Sequence, residues 1–396
     1  MTDRYLPLAL NVLGVDKPLP VDVWSDRGLL LLARGQRVQT FEQLRHLVAH
    51  RPMLREEDYW RLQAVGQGEG LLRAGTGHAL VRAPLVPPAA ANMVLEPAQA
   101  WPMLHARLSA VLRAPEPETF VERLDDCARF VAALAGRYPD DSLFVLIQMV
   151  QDPSQGYSAT HALLAALVGE LLAEPAGLPQ ADRDSLRLSA LTMNIAMSRL
   201  HDALALQKSA PSPVQRADIK AHPEAGRRQL ETLWVRDPVW LGLVQDHHET
   251  PGGRGYPAGK TDLSMPQRLL HLADVFVARI SPRANRGGLS PLTALRNLYL
   301  ENDPVTQQLG ELMVKTLGLY PPGSYVRLRN GETAVVVRRG RRANEPEALA
   351  IVNPQGLPIA VPATRDTGSA AHAVVSTVLA ETVKVRLDPA RILKRA

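Results

Sequence analysis

The chain has 396 residues, 46% hydrophobic and 21% charged, which is the balance of an ordinary globular protein and too long for one small core. Its 45 basic and 40 acidic residues leave a formal charge of +5, an excess that suits an anionic ligand and equally a solvated basic surface. Cys127 is the only cysteine, which excludes an internal disulfide and a cysteine-based zinc site and fits a reducing compartment. No stretch approaches the ~18 apolar residues of a membrane span, and residues 1–20 lack the pattern of a secretory leader. The expected address is cytoplasmic.

Residues 1–82 read as a small α/β module. Residues 21–24 and 29–33 flank Ser25-Asp26-Arg27-Gly28 and predict a hairpin, with helical spacing over 41–50. His46 and His50 share a face of that helix, but two histidines without a third ligand make no metal site. Pro84, Pro87, Pro88, Pro97 and Pro102 among alanines mark residues 83–102 as a linker. Residues 103–320 then read as all-helical. Phe120, Leu124, Cys127, Val131 and Leu134 recur at three- and four-residue steps. Further helices are expected over 142–150, 161–172, 186–200, 213–233, 237–247, 264–281, 289–299 and 304–318.

Residues 321–396 read as a small β-rich extension. Residues 325–328 and 333–337 bracket an Asn330-Gly331 turn, and β-like runs follow at 348–352 and 358–361. A last strand is expected near 382–387. The whole is a mainly α chain with a small module at each end.

Five histidines in the helical region bear on chemistry: His161, His201, His222, His247 and His248. Neutral imidazole is a good ligand for divalent transition metals, and phosphodiester hydrolysis benefits from metals that activate water. His247-His248-Glu249-Thr250-Pro251-Gly252-Gly253-Arg254-Gly255-Tyr256-Pro257 resembles the signature of the HD-GYP family: two histidines, a glutamate and a Gly-x-Gly-Tyr-Pro loop. Ala273-Asp274-Val275-Phe276 resembles the family helix whose aspartate ligates metal, and Arg283 and Arg286 fall where the family has Arg-Pro-Tyr-Arg. His222-Pro223 resembles the family's His-Pro helix start, and His161 its first ligand.

The resemblance implies a helical HD-type domain related to metal-dependent phosphodiesterases of cyclic di-GMP. It implies His161, His222, His247, His248 and Asp274 as metal ligands. It also implies a cyclic di-GMP pocket bordered by Gly253, Arg254, Gly255, Tyr256 and Pro257 with Arg283 and Arg286, on a loop that can meet diguanylate cyclase domains.

One part of the pattern is missing. The family's His-Asp pair and its following lysine fall, in register, on Met193, Asn194 and Met197. Asn194 is a poor bridging ligand, Met193 is a soft thioether, and Met197 carries no charge. His201-Asp202 comes too late in the register and reads as a decoy. The family's acidic residue before the loop is Gly252 here. The expectation is a signalling protein whose hydrolysis is impaired or absent and which binds a nucleotide or a partner. The alternative is an active cyclic di-GMP phosphodiesterase using a reduced site of His222, His247 and His248. One divalent metal (manganese, iron or zinc) and no metal stand equally open, as does a homodimer. No DNA partner is expected.

Overall fold

The computed structural model describes residues 5–7, 19, 21–25, 28–40, 43, 47, 52–55, 58, 96–299 and 303–395. They belong to two compact units, Met1–Asn92 and Met93–Ala396. In the first, β1 (Tyr5–Pro7), β2 (Val23–Trp24), β3 (Leu30–Leu32) and β4 (Met53–Arg55) form an antiparallel sheet in the order β1-β4-β2-β3. Gly28, at φ 73°, turns the expected β2–β3 hairpin, and Leu19, Val21, Val23, Leu47 and Leu54 form the small core. His46, His50 and most of the expected 41–50 helix lie outside the described residues.

The second unit opens with α1 (Pro97–Arg113), α2 (Pro117–Arg137) and α3 (Pro139–Val150). The first of these corrects the linker reading, because the helix starts inside residues 83–102. Pro97 stands at a helix start, where its missing N–H costs nothing, and Ala100, Trp101 and Leu104 supply a buried face. Proline opens many of the other helices too, and Pro84, Pro87 and Pro88 lie outside the described residues.

α4 (Tyr157–Ala173) is buried along nearly its whole length, as a helix apolar on every side must be. α5 (Gln180–Thr192) and α6 (Ser198–Leu206) replace the single helix expected over 186–200. The break is a turn at Met193–Asn194 and a 3-10 segment, Ile195–Met197, which packs on α7 (Pro213–Thr232). α7 begins with a capping box: Ser212 Oγ accepts from Gln215 N–H at 3.2 Å and Gln215 Oε1 accepts from Ser212 N–H at 2.8 Å. α8 (Pro238–Asp246) returns against α7, followed by α9 (Met265–Ile280), α10 (Pro291–Tyr299) and α11 (Pro304–Leu317). No helix among the described residues is long and apolar enough to cross a membrane.

Five antiparallel strands close the unit in the order β8-β7-β6-β5-β9: β5 (Tyr325–Leu328), β6 (Thr333–Arg338), β7 (Glu347–Val352), β8 (Pro358–Asp366) and β9 (Val374–Val378). The last strand therefore lies earlier than the expected 382–387: Val374, Ser376, Thr377 and Val378 pair with β5. Residues 380–382 form a 3-10 turn, and α12 (Pro389–Leu393) follows. The sheet is seated on α3: Gln148 donates to the Gly323 carbonyl at 2.8 Å and accepts from the Tyr325 hydroxyl at 2.9 Å.

The α7–α8 turn carries an unusual residue. Trp234 has φ 65° and is 54% exposed, at a position where helices normally place glycine because a Cβ crowds the backbone. Trp234→Gly is expected to raise the free energy of unfolding by about 1 kcal/mol by removing that crowding. Denaturant unfolding checks it, and a lowered midpoint would show that the indole's packing outweighs the strain.

Candidate metal centre and its loop

Three histidines from the α7–α8 hairpin converge. The ligand atoms of His222, His247 and His248 lie within 4.8 Å of one another, the one such group among the described residues. His222 and His247 meet at Nε2 to Nε2, 3.0 Å apart. The ring of His248 lies 4.1 Å from that of His247 and 5.1 Å from that of His222, centroid to centroid. It stacks on Tyr256 at 4.7 Å.

The backbone sets the tautomers. His222 Nδ1–H donates to the Ile219 carbonyl at 2.6 Å. In a helix that carbonyl would accept from residue 223, but Pro223 has no N–H to give. His247 Nδ1–H donates to the Val244 carbonyl at 2.7 Å, one of the four that the end of α8 leaves without helical partners. With the proton on Nδ1, each neutral ring presents a bare Nε2 lone pair.

Burial, and next the neighbouring His248, push His222 down to about 4, and burial with His248 and His222 pushes His247 well below its ordinary value. Both rings are therefore neutral near pH 7, and two lone pairs face each other in a buried place. A cation between them resolves that opposition. Their separation is close to the roughly 3.3 Å expected of two nitrogens on one tetrahedral ion with bonds of about 2.0 Å. The residues fit a divalent metal held by His222, His247 and His248.

His161 and Asp274 join the cluster differently. His161 Nε2 and Asp274 Oδ1 are hydrogen-bonded at 2.8 Å, with His161 only 1% exposed. Burial alone would raise the Asp274 carboxyl, but the His161 hydrogen bond and the surrounding imidazoles hold it well below the usual carboxylate range. Asp274 Oδ2 lies 3.8 Å from His248 Nδ1, which links the pair to the three-histidine group. His161 Nδ1 is buried and finds no partner among the described residues. A metal-ligating histidine normally donates its second ring N–H to an acceptor. His222 and His247 have such an acceptor; His161 does not.

Met193, Asn194 and Met197 are all buried, at the turn that packs on the His222 helix. They bring no carboxylate or ammonium to it.

The loop after His248 is pinned from both flanks of the histidine pair. Glu249 is fully buried and accepts three backbone N–H groups: Ala258 at 2.6 Å, Gly259 at 3.0 Å and Lys260 at 2.9 Å. Asp246 Oδ2 accepts from Lys260 Nζ and from Gln267 Nε2, each at 2.7 Å. Gly255 runs so close to the chain that a Cβ there would lie 2.5 Å from Glu249 Cα and from the His248 carbonyl. Gly253, at φ 67°, makes the turn. Tyr256 and Pro257, half-buried and joined by a cis peptide, complete the loop beside His248.

Arg254 is exposed on the loop. Arg283 donates from Nε and Nη2 to the Tyr157 hydroxyl at 3.3 and 3.1 Å, and exchanges backbone hydrogen bonds with Arg286. Arg286 is exposed and donates to the Ala278 carbonyl at 2.5 Å.

Residues 144–304 match the family model of the HD domain. They form an HD-type domain. Over 215 residues the chain is 25% identical to a cyclic di-GMP phosphodiesterase of Pseudomonas aeruginosa, covering 54% of this chain and 51% of that protein. Over 153 residues it is 26% identical to the 3'3'-cGAMP-specific phosphodiesterase 1 of Vibrio cholerae, covering 38% and 35%. The chain thus spans about half, or less, of the length of these curated relatives. A solved HDGYP protein of Bdellovibrio bacteriovorus aligns over 78% of this chain and 99% of its own, with 16% identity and a TM-score of 0.49.

Within the HD domain, His161, His222, His247, His248, Asp274 and Tyr256 are contiguous, and Arg283 reaches them through Tyr157, whose ring lies 5.8 Å from that of His161. Three roles were not read from the sequence: Tyr157 under Arg283, and the two flanking carboxylates as loop anchors. His201, set aside as a decoy, is buried with its ring 5.3 Å from that of His161. A signal was present in the spacing. Ser198, His201, Leu204 and Ala205 recur on one helical face, and that face is the buried one.

Pro223→Ala restores an N–H that competes with His222 for the Ile219 carbonyl. The variant is expected to be more stable, by up to about 3 kcal/mol of helix propensity, while its zinc affinity falls roughly tenfold or more. Denaturant unfolding and competition with a chelating dye measure the two. Unchanged zinc affinity would mean that the freed carbonyl does not set the His222 tautomer.

Proposed function

We propose that this chain is an HD-GYP-type signalling protein that holds one divalent cation on His222, His247 and His248 and binds a cyclic dinucleotide beside it, with hydrolysis impaired or absent. The observation that carries the reading is the contrast in what backs the imidazoles. Two of the three converging rings are oriented by carbonyls behind Nδ1, and His161 has none. The relatives act on cyclic di-GMP and on 3'3'-cGAMP, so a cyclic dinucleotide is the ligand class.

Manganese, iron and zinc all accept neutral imidazole. When bound, such an ion supplies positive charge next to a phosphodiester. The chain's own groups do the rest. Tyr256 and the pinned loop wall the site, and Arg283, Arg286 and Arg254 supply guanidinium groups for phosphate oxygens. The one carboxylate joined to the cluster, Asp274, is already engaged by His161, and neutral Asn194 makes a poor bridge to a second ion. The bare Nε2 pair of His222 and His247 also favours a second reading, an active phosphodiesterase on this reduced site.

Elemental analysis, calorimetry with cyclic di-GMP and an assay for the linear product in manganese separate the two. One metal per chain and nucleotide binding are expected, with metal lost in His247→Ala. Turnover should lie roughly a thousandfold below that of a combined Met193→His, Asn194→Asp and Met197→Lys variant, because such groups act as a unit. Efficient turnover in the natural chain with one metal on this site would establish the second reading. A protein that takes up neither metal nor nucleotide would refute both.

A further inference from the structure

The dipeptide His201-Asp202 does not belong to the three-histidine group, yet both of its side chains are engaged at the start of α4, the helix of His161. Gly156 precedes that helix at φ 107° and offers no side-chain cap. Instead Asp202, from α6, accepts the Ser158 N–H on Oδ1 at 2.7 Å, a cap delivered from another helix. Its other oxygen takes Arg113, at the end of α1, at 2.9 Å. One residue earlier, the His201 ring packs edge-on against Tyr157 at 4.6 Å and lies 5.3 Å from the His161 ring. At the far end of α6, the Ala205 carbonyl accepts the Ala284 N–H at 2.8 Å, next to Arg283.

We propose that α6 is a brace in which His201 and Asp202 are positioning residues, setting His161 against Asp274 and Tyr157 beneath Arg283. The functional part rests on the cyclic dinucleotide reading above; the geometric part does not. Asp202 fixes the register of the first turn of α4, and His161 lies in the next turn. His201 fills the space behind the two rings, so neither Tyr157 nor His161 can swing away from its partner. The 205–284 hydrogen bond holds the Arg283 hairpin to the same short helix. α6 follows directly on Met193–Met197.

The test uses the full chain and its Asp202→Ala, Asp202→Asn and His201→Phe variants. In spectra of protein labelled with nitrogen-15 histidine, the ring signals of His161 should shift in Asp202→Ala and His201→Phe. They should return towards the natural pattern in Asp202→Asn, whose amide oxygen still accepts from Ser158. His222 and His247, carried by α7 and α8, should keep theirs. Hydrogen exchange at Ser158 to His161 should quicken roughly five- to tenfold in Asp202→Ala, the size of a lost helix cap. Cyclic di-GMP affinity should fall by a similar factor at unchanged metal content.

Unmoved His161 signals in Asp202→Ala and His201→Phe would overturn the brace, whatever the nucleotide does. Shifted signals with undiminished cyclic di-GMP affinity would overturn its positioning role. A natural chain that binds no cyclic di-GMP would refute the functional reading, and the ring spectra alone would then decide whether the brace exists.

Discussion

Two backbone carbonyls without helical partners govern the chemistry of this chain. Ile219 lacks one because Pro223 has no N–H, and Val244 because α8 ends. Each takes the Nδ1 proton of a nearby histidine, and each thereby exposes an Nε2 lone pair to the same small space. Proline inside a helix and a helix that stops short are ordinarily costs to stability. Here they convert helix defects into fixed imidazole tautomers, and the divalent-cation reading depends on those tautomers. Burial then keeps the rings neutral, so the lone pairs persist at physiological pH.

The loop that follows depends on the same economy of groups. The histidine pair is flanked by two carboxylates, Asp246 and Glu249, which hold the loop. Glu249 in particular spends both oxygens on backbone N–H groups. A rigid wall therefore stands beside His248, with Tyr256 stacked on its ring. On the opposite flank, His161 and Asp274 are set by core packing: α4 is buried nearly throughout, and Asp274 comes from the buried face of α9. The loop flank is positioned by hydrogen bonds to its carboxylates, and the other adds close packing to the Asp202 cap on α4.

Much of this was legible in the residues. Three- and four-residue spacing located the helices, β-like runs around the Asn330-Gly331 turn located β5 and β6, and the histidine, aspartate and glycine motifs picked out side chains that do come together. What failed did so for identifiable reasons. Apolar periodicity runs on through 186–200, so it could not show the break that carries Met193 to Met197 onto α7. Pro97 reads as a linker residue because a helix-opening proline and a linker proline look alike in sequence. The packing of His201 against the His161 ring is not readable from register along the chain, which says nothing of how α6 folds back onto α4. The carboxylates of Asp202 and Glu249 act on backbone amides far along the chain, and no local pattern announces such partners.

The antiparallel pairing of α7 with α8 has a consequence for how the centre comes to exist. His222 and His247 are separated by 25 positions, whereas His161 and Asp274 are separated by 113. By the logarithmic scaling of loop closure, bringing the second pair together costs about 1.3 kcal/mol more chain entropy than the first. The three-histidine group is thus a property of one helical hairpin, available to an ion as soon as two neighbouring helices dock. The histidine–aspartate pair exists only once the distant halves of the domain have closed around α4. An ion seated on the hairpin would act as a local staple on a half-assembled chain, and the rest of the domain would be built onto it.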